Sequence, residues 1–249
     1  MADRIIQTET LTAIANGLRG GTSQSESDKI EVSNFADVAT DLKRNSDSLI
    51  GLVERSLESL TIPNGVTSIG NYAFYGFSNL ESITIPNGIN TIGGGAFSEC
   101  ENLENITIPN GVTAIGNAAF NRCTSFTNIT IPVGVTSIGN GAFSGCTSLE
   151  SITIPEGVTS IGDYIFVNCA SLESITIPEG VTSIGYGAFS ECESIEIINL
   201  PSTITSIGDD AFSDINANAV INCGFSEGVV SDAPWGAPNT VTINYNVTP

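Results

Sequence analysis

A nine-residue stretch, L-E-S-I-T-I-P-N-G at residues 80–88, returns in recognisable form every 23 residues, and that period constrains everything else. Pro63, Pro86, Pro109, Pro132, Pro155, Pro178 and Pro201 keep the step. So do the Ile-Gly pairs at 69–70, 92–93, 115–116, 138–139, 161–162, 184–185 and 207–208. One unit reads C-x-x-L-x-x-I-x-I-P-x-G-V-x-x-I-G-x-x-A-F-x-x, and seven follow one another without a gap. A fixed period of this length marks a solenoid, because one coil cannot bury its apolar face alone and a stack can.

Each unit has a physical reading. Ile83 and Ile85 flank Thr84, which gives a short strand with one apolar face. Pro86 ends it, having no N–H to give to a ladder. The x-G that follows suits a turn in which glycine takes positive φ. Val66 and Ile69 open a second short apolar segment. After Gly70 the apolar residues are Ala73, Phe74, Phe77 and Leu80, close to helical spacing. Asn71 and its counterparts Asp163 and Asp209 suit a cap for that turn. The unit is therefore expected to run strand, turn, short extended piece, helical turn.

The same residues, C-x-x-L-x-x-I-x-I-P-x-G-V-x-x-I-G-x-x-A-F, resemble the BspA-like leucine-rich repeats of bacterial surface proteins over about residues 57–221. The resemblance implies an α/β solenoid: seven 23-residue rungs, right-handed and curved, with the I-x-I strands as a parallel sheet and short extended and helical turns opposite. Strands stack about 4.8 Å apart while packed helices need about 8–10 Å, so the strand side is expected to be concave.

The chain divides into an N-terminal helical module or cap (1–56), the solenoid (57–222) and a C-terminal cap (223–249). In the first part Leu11, Ile14, Ala15 and Leu18 share a helical face, residues 20–28 form a Gly/Ser loop, and Ser33 suits the cap of a helix carrying Phe35, Ala36, Val38, Ala39 and Leu42. Residues 1–42 resemble the N-terminal module of prophage-encoded tail-associated proteins, through L-T-A-I-A-N-G-L-R-G-G-T and F-A-D-V-A-T-D-L. That resemblance implies attachment to a virion, or self-association, through Leu11, Ile14, Leu18 and Phe35. An end cap with no binding role accounts for the same residues, since solenoid ends need covering. Near the other end, A-P-W-G-A-P-N resembles the tails of prophage repeat proteins, and Trp235 is placed to cover the last apolar layer.

Rows along the solenoid repeat one side chain on every rung. Thr84, Thr107, Thr130, Thr153 and Thr176 lie between the inward isoleucines, and Glu81, Glu104, Glu150, Glu173 and Glu196 run nearby, interrupted by Thr127. These two rows are the candidate interaction surface. Carboxylates about 5 Å apart on neighbouring strands repel unless solvated or bridged. The strand face carries no Trp, Tyr or Arg, the residues favoured at binding hot spots.

Charge is uneven. Residues 57–249 hold 18 acidic residues against Arg122 alone, a net of −17, while residues 1–56 hold nine acidic and six basic, a net of −3. That argues against nucleic acid and against an anionic membrane surface. It fits simple solubility of a long array, a basic partner, or bound divalent cations.

Cys100, Cys123, Cys146, Cys169 and Cys192 keep the period, with Phe77 and Ile215 at the same place on other rungs. Exchange with apolar residues marks a core position and cysteine used as a small hydrophobe. No C-x-x-C and no histidine are present, which speaks against zinc. The absence of histidine also removes Ser-His and Cys-His nucleophile pairs, and no phosphate-binding glycine loop or cofactor motif occurs.

No apolar run is long enough to span a membrane, and residues 1–20 lack an uninterrupted apolar core after their charges. The expectation is therefore a chain without a secretory signal, folded in the cytoplasm. In function it is expected to be a non-enzymatic interaction protein: a prophage tail-associated or receptor-binding accessory, or alternatively a BspA-like cell-surface adhesin for host or matrix proteins.

Overall fold

The computed structural model describes residues 58–62, 64–231 and 233–247. They wind through about eight turns of a parallel β-solenoid. On the first side the strands Ser59–Thr61, Ser82–Thr84, Asn105–Ile106, Asn128–Thr130, Ser151–Thr153, Ser174–Thr176, Ile197–Leu200, Val220–Cys223 and Thr242–Tyr245 pair in parallel in three runs, the first three, the next two and the last four. Their partners are the residues the repeat predicts: Leu60 faces Ile83, Ile129 faces Ile152, and Ile198 faces Ile221. Only the last step is shortened, to 22 residues, with Val220 facing Thr242.

The alternation decides which side is core. In each S-I-T strand the isoleucine is buried and its two neighbours are exposed. Ile85, Ile108, Ile131, Ile154 and Ile177 form the expected buried row, none more than 7% exposed. A slip of one residue would turn every one of them to water.

The second apolar segment is a ladder too. Ser68–Ile69, Thr91–Ile92, Ala114–Ile115, Ser137–Ile138, Ser160–Ile161, Ser183–Ile184 and Ser206–Ile207 pair in parallel in two runs, the first four and the last three. The glycine after each isoleucine is there because rungs touch. A Cβ on Gly93 would stand 2.6 Å from both the Gly70 carbonyl carbon and the Asn71 nitrogen, and one on Gly185 2.6 Å from the Asp163 nitrogen. The glycine after proline behaves differently from expectation. Gly65 and Gly180 take positive φ (99° and 96°), whereas Gly88 and Gly111 do not and sit against carbonyl oxygens of the preceding rung.

The third side overturns the expected helical turns. No helix occurs among the described residues. Each rung instead places two residues in the left-handed region four positions apart. One row is Tyr72, Gly95, Ala118, Gly141, Tyr164, Gly187 and Asp210; the other is Gly76, Glu99, Arg122, Gly145, Asn168, Glu191 and Asp214. A left-handed residue stops an α-helix, so the chain makes successive turns. Their amides then bond to the next rung, as in Phe74 N–H to Ala96 O (2.7 Å) and Gly76 N–H to Ser98 O (2.8 Å). The third side is thus also a hydrogen-bonded ladder. The argument for a concave strand face rested on packed helices, and it falls with them.

The residues expected to cap helices do another job. Asn71 Oδ1 accepts the Gly94 amide at 2.7 Å, Asn140 Oδ1 that of Asp163 at 3.2 Å, and Asp163 Oδ1 that of Tyr186 at 2.9 Å. They tie one rung to the next.

Inside, one phenylalanine per rung stacks on the next. Phe74, Phe97, Phe120, Phe143, Phe166, Phe189 and Phe212 form a continuous pile with ring centroids 5.2–5.6 Å apart. Trp235, 3% exposed, closes it edge-on against Phe212 at 6.0 Å, and its indole N–H donates to Ser231 O at 2.8 Å. Such aromatic pairs add about 0.5–1.5 kcal/mol beyond area burial.

Candidate functional site

The strand face is assembled as the sequence predicts. Thr84, Thr107, Thr130, Thr153 and Thr176 are exposed, as are Glu81, Glu104, Glu150, Glu173 and Glu196. The glutamate row is laced through its main chain: Glu81 N–H donates to Glu58 O (2.8 Å), Glu104 N–H to Glu81 O (3.1 Å), Glu173 N–H to Glu150 O (3.2 Å) and Glu196 N–H to Glu173 O (2.7 Å). Glu150 bonds instead to Thr127 O at 2.9 Å, so the carboxylate row has one gap at that rung. Rung spacing therefore sets the spacing of the negative charges.

Toward the C-terminal end the threonine row becomes an amide ladder. Asn199 Nδ2 donates to Thr176 Oγ1 (3.2 Å), Asn222 Nδ2 to Asn199 Oδ1 (2.9 Å), and Asn244 Nδ2 to Asn222 Oδ1 (3.0 Å). Each amide there is committed to its neighbour, so the groups best able to receive a partner are the threonines and glutamates of the earlier rungs.

Sequence reasoning looked for aromatic anchors on the strand face and passed over the turn side. Tyr72, Tyr164 and Tyr186 are 59%, 47% and 42% exposed there. Tyr72 meets Tyr75 edge-on at 6.1 Å, and Tyr164 meets Tyr186 at 5.2 Å. Tyr75 is hydrogen-bonded to Glu99, which also pairs with Arg122 at 3.8 Å. Tyr186 donates its hydroxyl to Asp210 Oδ2 at 2.9 Å, and that carboxylate holds the phenol above its usual pKa. The signal was present in the sequence: Tyr72 and Tyr164 occupy the same place in the repeat.

The cysteine row lies in the core, with Cys100, Cys123, Cys146, Cys169 and Cys192 all buried thiols. It does more than fill space. Each thiol donates to a phenylalanine carbonyl oxygen one rung back: Cys100 to Phe74 and Cys123 to Phe97 at 3.1 Å, then Cys146 to Phe120, Cys169 to Phe143 and Cys192 to Phe166 at 3.2 Å. Burial pushes Cys146 and Cys192 up to about 12. A thiolate is what attacks or binds metal, so these groups are inert at neutral pH. Among the described residues no group of three or more Cys, Asp or Glu is placed to hold a metal ion, and no helix is long and apolar enough to cross a membrane.

Leu11, Ile14, Leu18 and Phe35, with the N-terminal helical module expected there, lie outside the described residues.

Comparison with known proteins agrees with this geometry. The pattern described as "BspA type Leucine rich repeat region" matches six copies, over residues 53–169 and 114–224. The chain belongs to the BspA-type leucine-rich repeat family. Among solved structures, this family member is similar to a leucine-rich repeat protein from Bacteroides ovatus ATCC 8483, with 31% identity over 77% of this chain and a TM-score of 0.63. It spans only 53% of that protein's length. It is also similar to the T. pallidum leucine-rich repeat protein TpLRR, with 26% identity over 74% of this chain and 79% of that one, at a TM-score of 0.57. No curated protein matches the chain by sequence.

Proposed function

We propose that this BspA-type solenoid is a non-enzymatic adhesion protein that binds another protein along its strand face. The contact surface is the array of Thr84, Thr107, Thr130, Thr153 and Thr176 beside Glu81, Glu104, Glu150, Glu173 and Glu196. The observation that supports it is the main-chain lacing of the glutamate row, which fixes its backbone spacing at one rung per residue and leaves the side chains exposed. A repeated row on a rigid backbone can meet a long partner at many points. Its sign selects a partner surface that is basic.

The family resemblance favours display on a cell surface, with host or matrix proteins as ligands. The more specific reading, a prophage tail-associated accessory, draws on residues 1–42 and makes Leu11, Ile14, Leu18 and Phe35 the attachment to a virion.

The test is surface plasmon resonance of the whole chain over immobilised matrix proteins of differing charge. The triple variant Glu104→Lys, Glu150→Lys, Glu173→Lys reverses the row without touching the core. Loss of binding by about tenfold or more, with steep salt dependence in the parent, is the expected outcome. Undiminished binding by the triple variant overturns the strand-face assignment.

A further inference from the structure

The turn side carries two tyrosine–carboxylate corners, set at different places in the repeat. In the first, Tyr72 and Tyr75 meet edge-on, Tyr75 is hydrogen-bonded to Glu99 24 residues on, and the guanidinium of Arg122 sits 3.8 Å from Glu99 Oε1. In the second, Tyr164 and Tyr186 meet edge-on at 5.2 Å, and Tyr186 donates to Asp210, again 24 residues on. Tyr72 and Tyr164 stand at the same place in their rungs, both in the left-handed region. Each ring lies over the glycine of the following rung: a Cβ on Gly187 would stand 3.0 Å from Cδ1 and Cε1 of Tyr164, and one on Gly95 would collide with the ring of Tyr72.

The corners also differ in charge. Arg122 is the only Lys or Arg among the described residues, and it serves the first corner. The second has Asp210 and the neighbouring Asp209 and no cation. Asp163, close by, is already engaged through both oxygens, by Asn140 Nδ2 and the Tyr186 amide. In the first corner a guanidinium thus stands 3.8 Å from the carboxylate of a tyrosine–carboxylate pair. Arginine is suited to this because its planar cation stacks on an aromatic face and forks onto a carboxylate.

We propose that Tyr164, Tyr186, Asp209 and Asp210 form a docking corner for an arginine side chain on a basic segment of a partner protein. Its cation would meet exposed aromatic rings beside carboxylates that have no Lys or Arg near them in sequence. The inference rests on the protein-interaction reading but names a different face and a defined side chain. Tyr164 is the discriminating residue: it bonds neither Asp209 nor Asp210, so changing it leaves the Tyr186–Asp210 tie between rungs intact.

The experiment is fluorescence anisotropy of labelled oligo-arginine and oligo-lysine peptides with the whole chain at physiological salt. Variants are Tyr164→Ser, Asp209→Asn and, as a charge-matched control outside both proposed surfaces, the exposed Glu156→Gln. The parent is expected to bind oligo-arginine more tightly than oligo-lysine. Tyr164→Ser should abolish that preference and weaken oligo-arginine by about tenfold, and Asp209→Asn should weaken both peptides. Glu156→Gln should change neither by more than about twofold. Equal losses in Glu156→Gln and Asp209→Asn mean diffuse attraction to an acidic protein and overturn the corner. An unchanged arginine preference in Tyr164→Ser overturns it as well, as does a parent that binds neither peptide. The matrix-protein measurement with the Glu-row variant remains separate, so failure here leaves the strand-face proposal standing on its own result.

Discussion

The thiol of Cys146 donates to the carbonyl oxygen of Phe120 across 3.2 Å, and that oxygen already accepts the amide of Cys123 at 3.2 Å. One carbonyl therefore closes a turn within its rung and receives the next. Cys146→Ala removes the second donor and leaves a small void but orphans no buried group. The expected cost is about 1–2 kcal/mol, read from the urea midpoint. In the native parent, thiol labelling at Cys123, Cys146 and Cys169 should be slow and become fast on unfolding. Rapid native labelling would contradict the buried thiol ladder.

Alkaline stability follows from the same row. Desolvation by burial raises Cys146 and Cys192 to about 12 and Cys123 and Cys169 well above the ordinary thiol range. A pKa raised on folding means that the folded chain keeps protons the unfolded chain has lost. Stability is then full below the unfolded thiol pKa near 9 and falls as pH rises toward 12. Urea midpoints measured across that window should decline steadily. Replacing Cys146 and Cys192 together by alanine should flatten the decline, and an identical slope in that variant would show that other groups drive it.

Gly93 is held by contact rather than by conformation. Its added Cβ would press on backbone atoms of Gly70 and Asn71, which have no side-chain freedom to move aside. Gly93→Ala should cost about 1–3 kcal/mol by overpacking, seen as a lowered melting temperature. A neutral result would mean that neighbouring rungs can part at little cost.

Ala118 makes the opposite case. It sits at φ 53° in the row where Gly95, Gly141 and Gly187 serve other rungs. Removing its Cβ relieves left-handed strain, so Ala118→Gly should stabilise by about 0.5–1 kcal/mol despite the usual entropic cost of glycine. Thermal unfolding checks the sign. Destabilisation would place the turn's stability in the Ala118 side chain instead.

Light scattering of the whole chain and of one lacking residues 1–45 tests the attachment reading. If Leu11, Ile14, Leu18 and Phe35 mediate attachment, the full chain should self-associate and a chain beginning at Ser46 should be folded and monomeric. If the shortened chain loses its first rungs while association is unchanged, the segment is a cap. The prophage reading then loses its support.

The period of 23 by itself determined the rungs, the parallel register and the buried rows, since Ile83 must face Leu60 and Ile85 must face inward wherever identical coils stack. Strand alternation is a property of neighbouring residues, and so it can be read locally. What the turn side becomes cannot be read that way. The spacing of Ala73, Phe74, Phe77 and Leu80 suits a helix, but it suits equally a run of turns around two left-handed residues, and the glycines at 95, 141 and 187 were the sign that turns prevail. The choice is made by the adjacent rung. Phe74 N–H finds Ala96 O, Gly94 N–H finds Asn71, Cys100 finds the carbonyl of Phe74, and Tyr186 finds Asp210. Those partners lie 22 to 26 residues away in sequence. Only stacking brings them within reach.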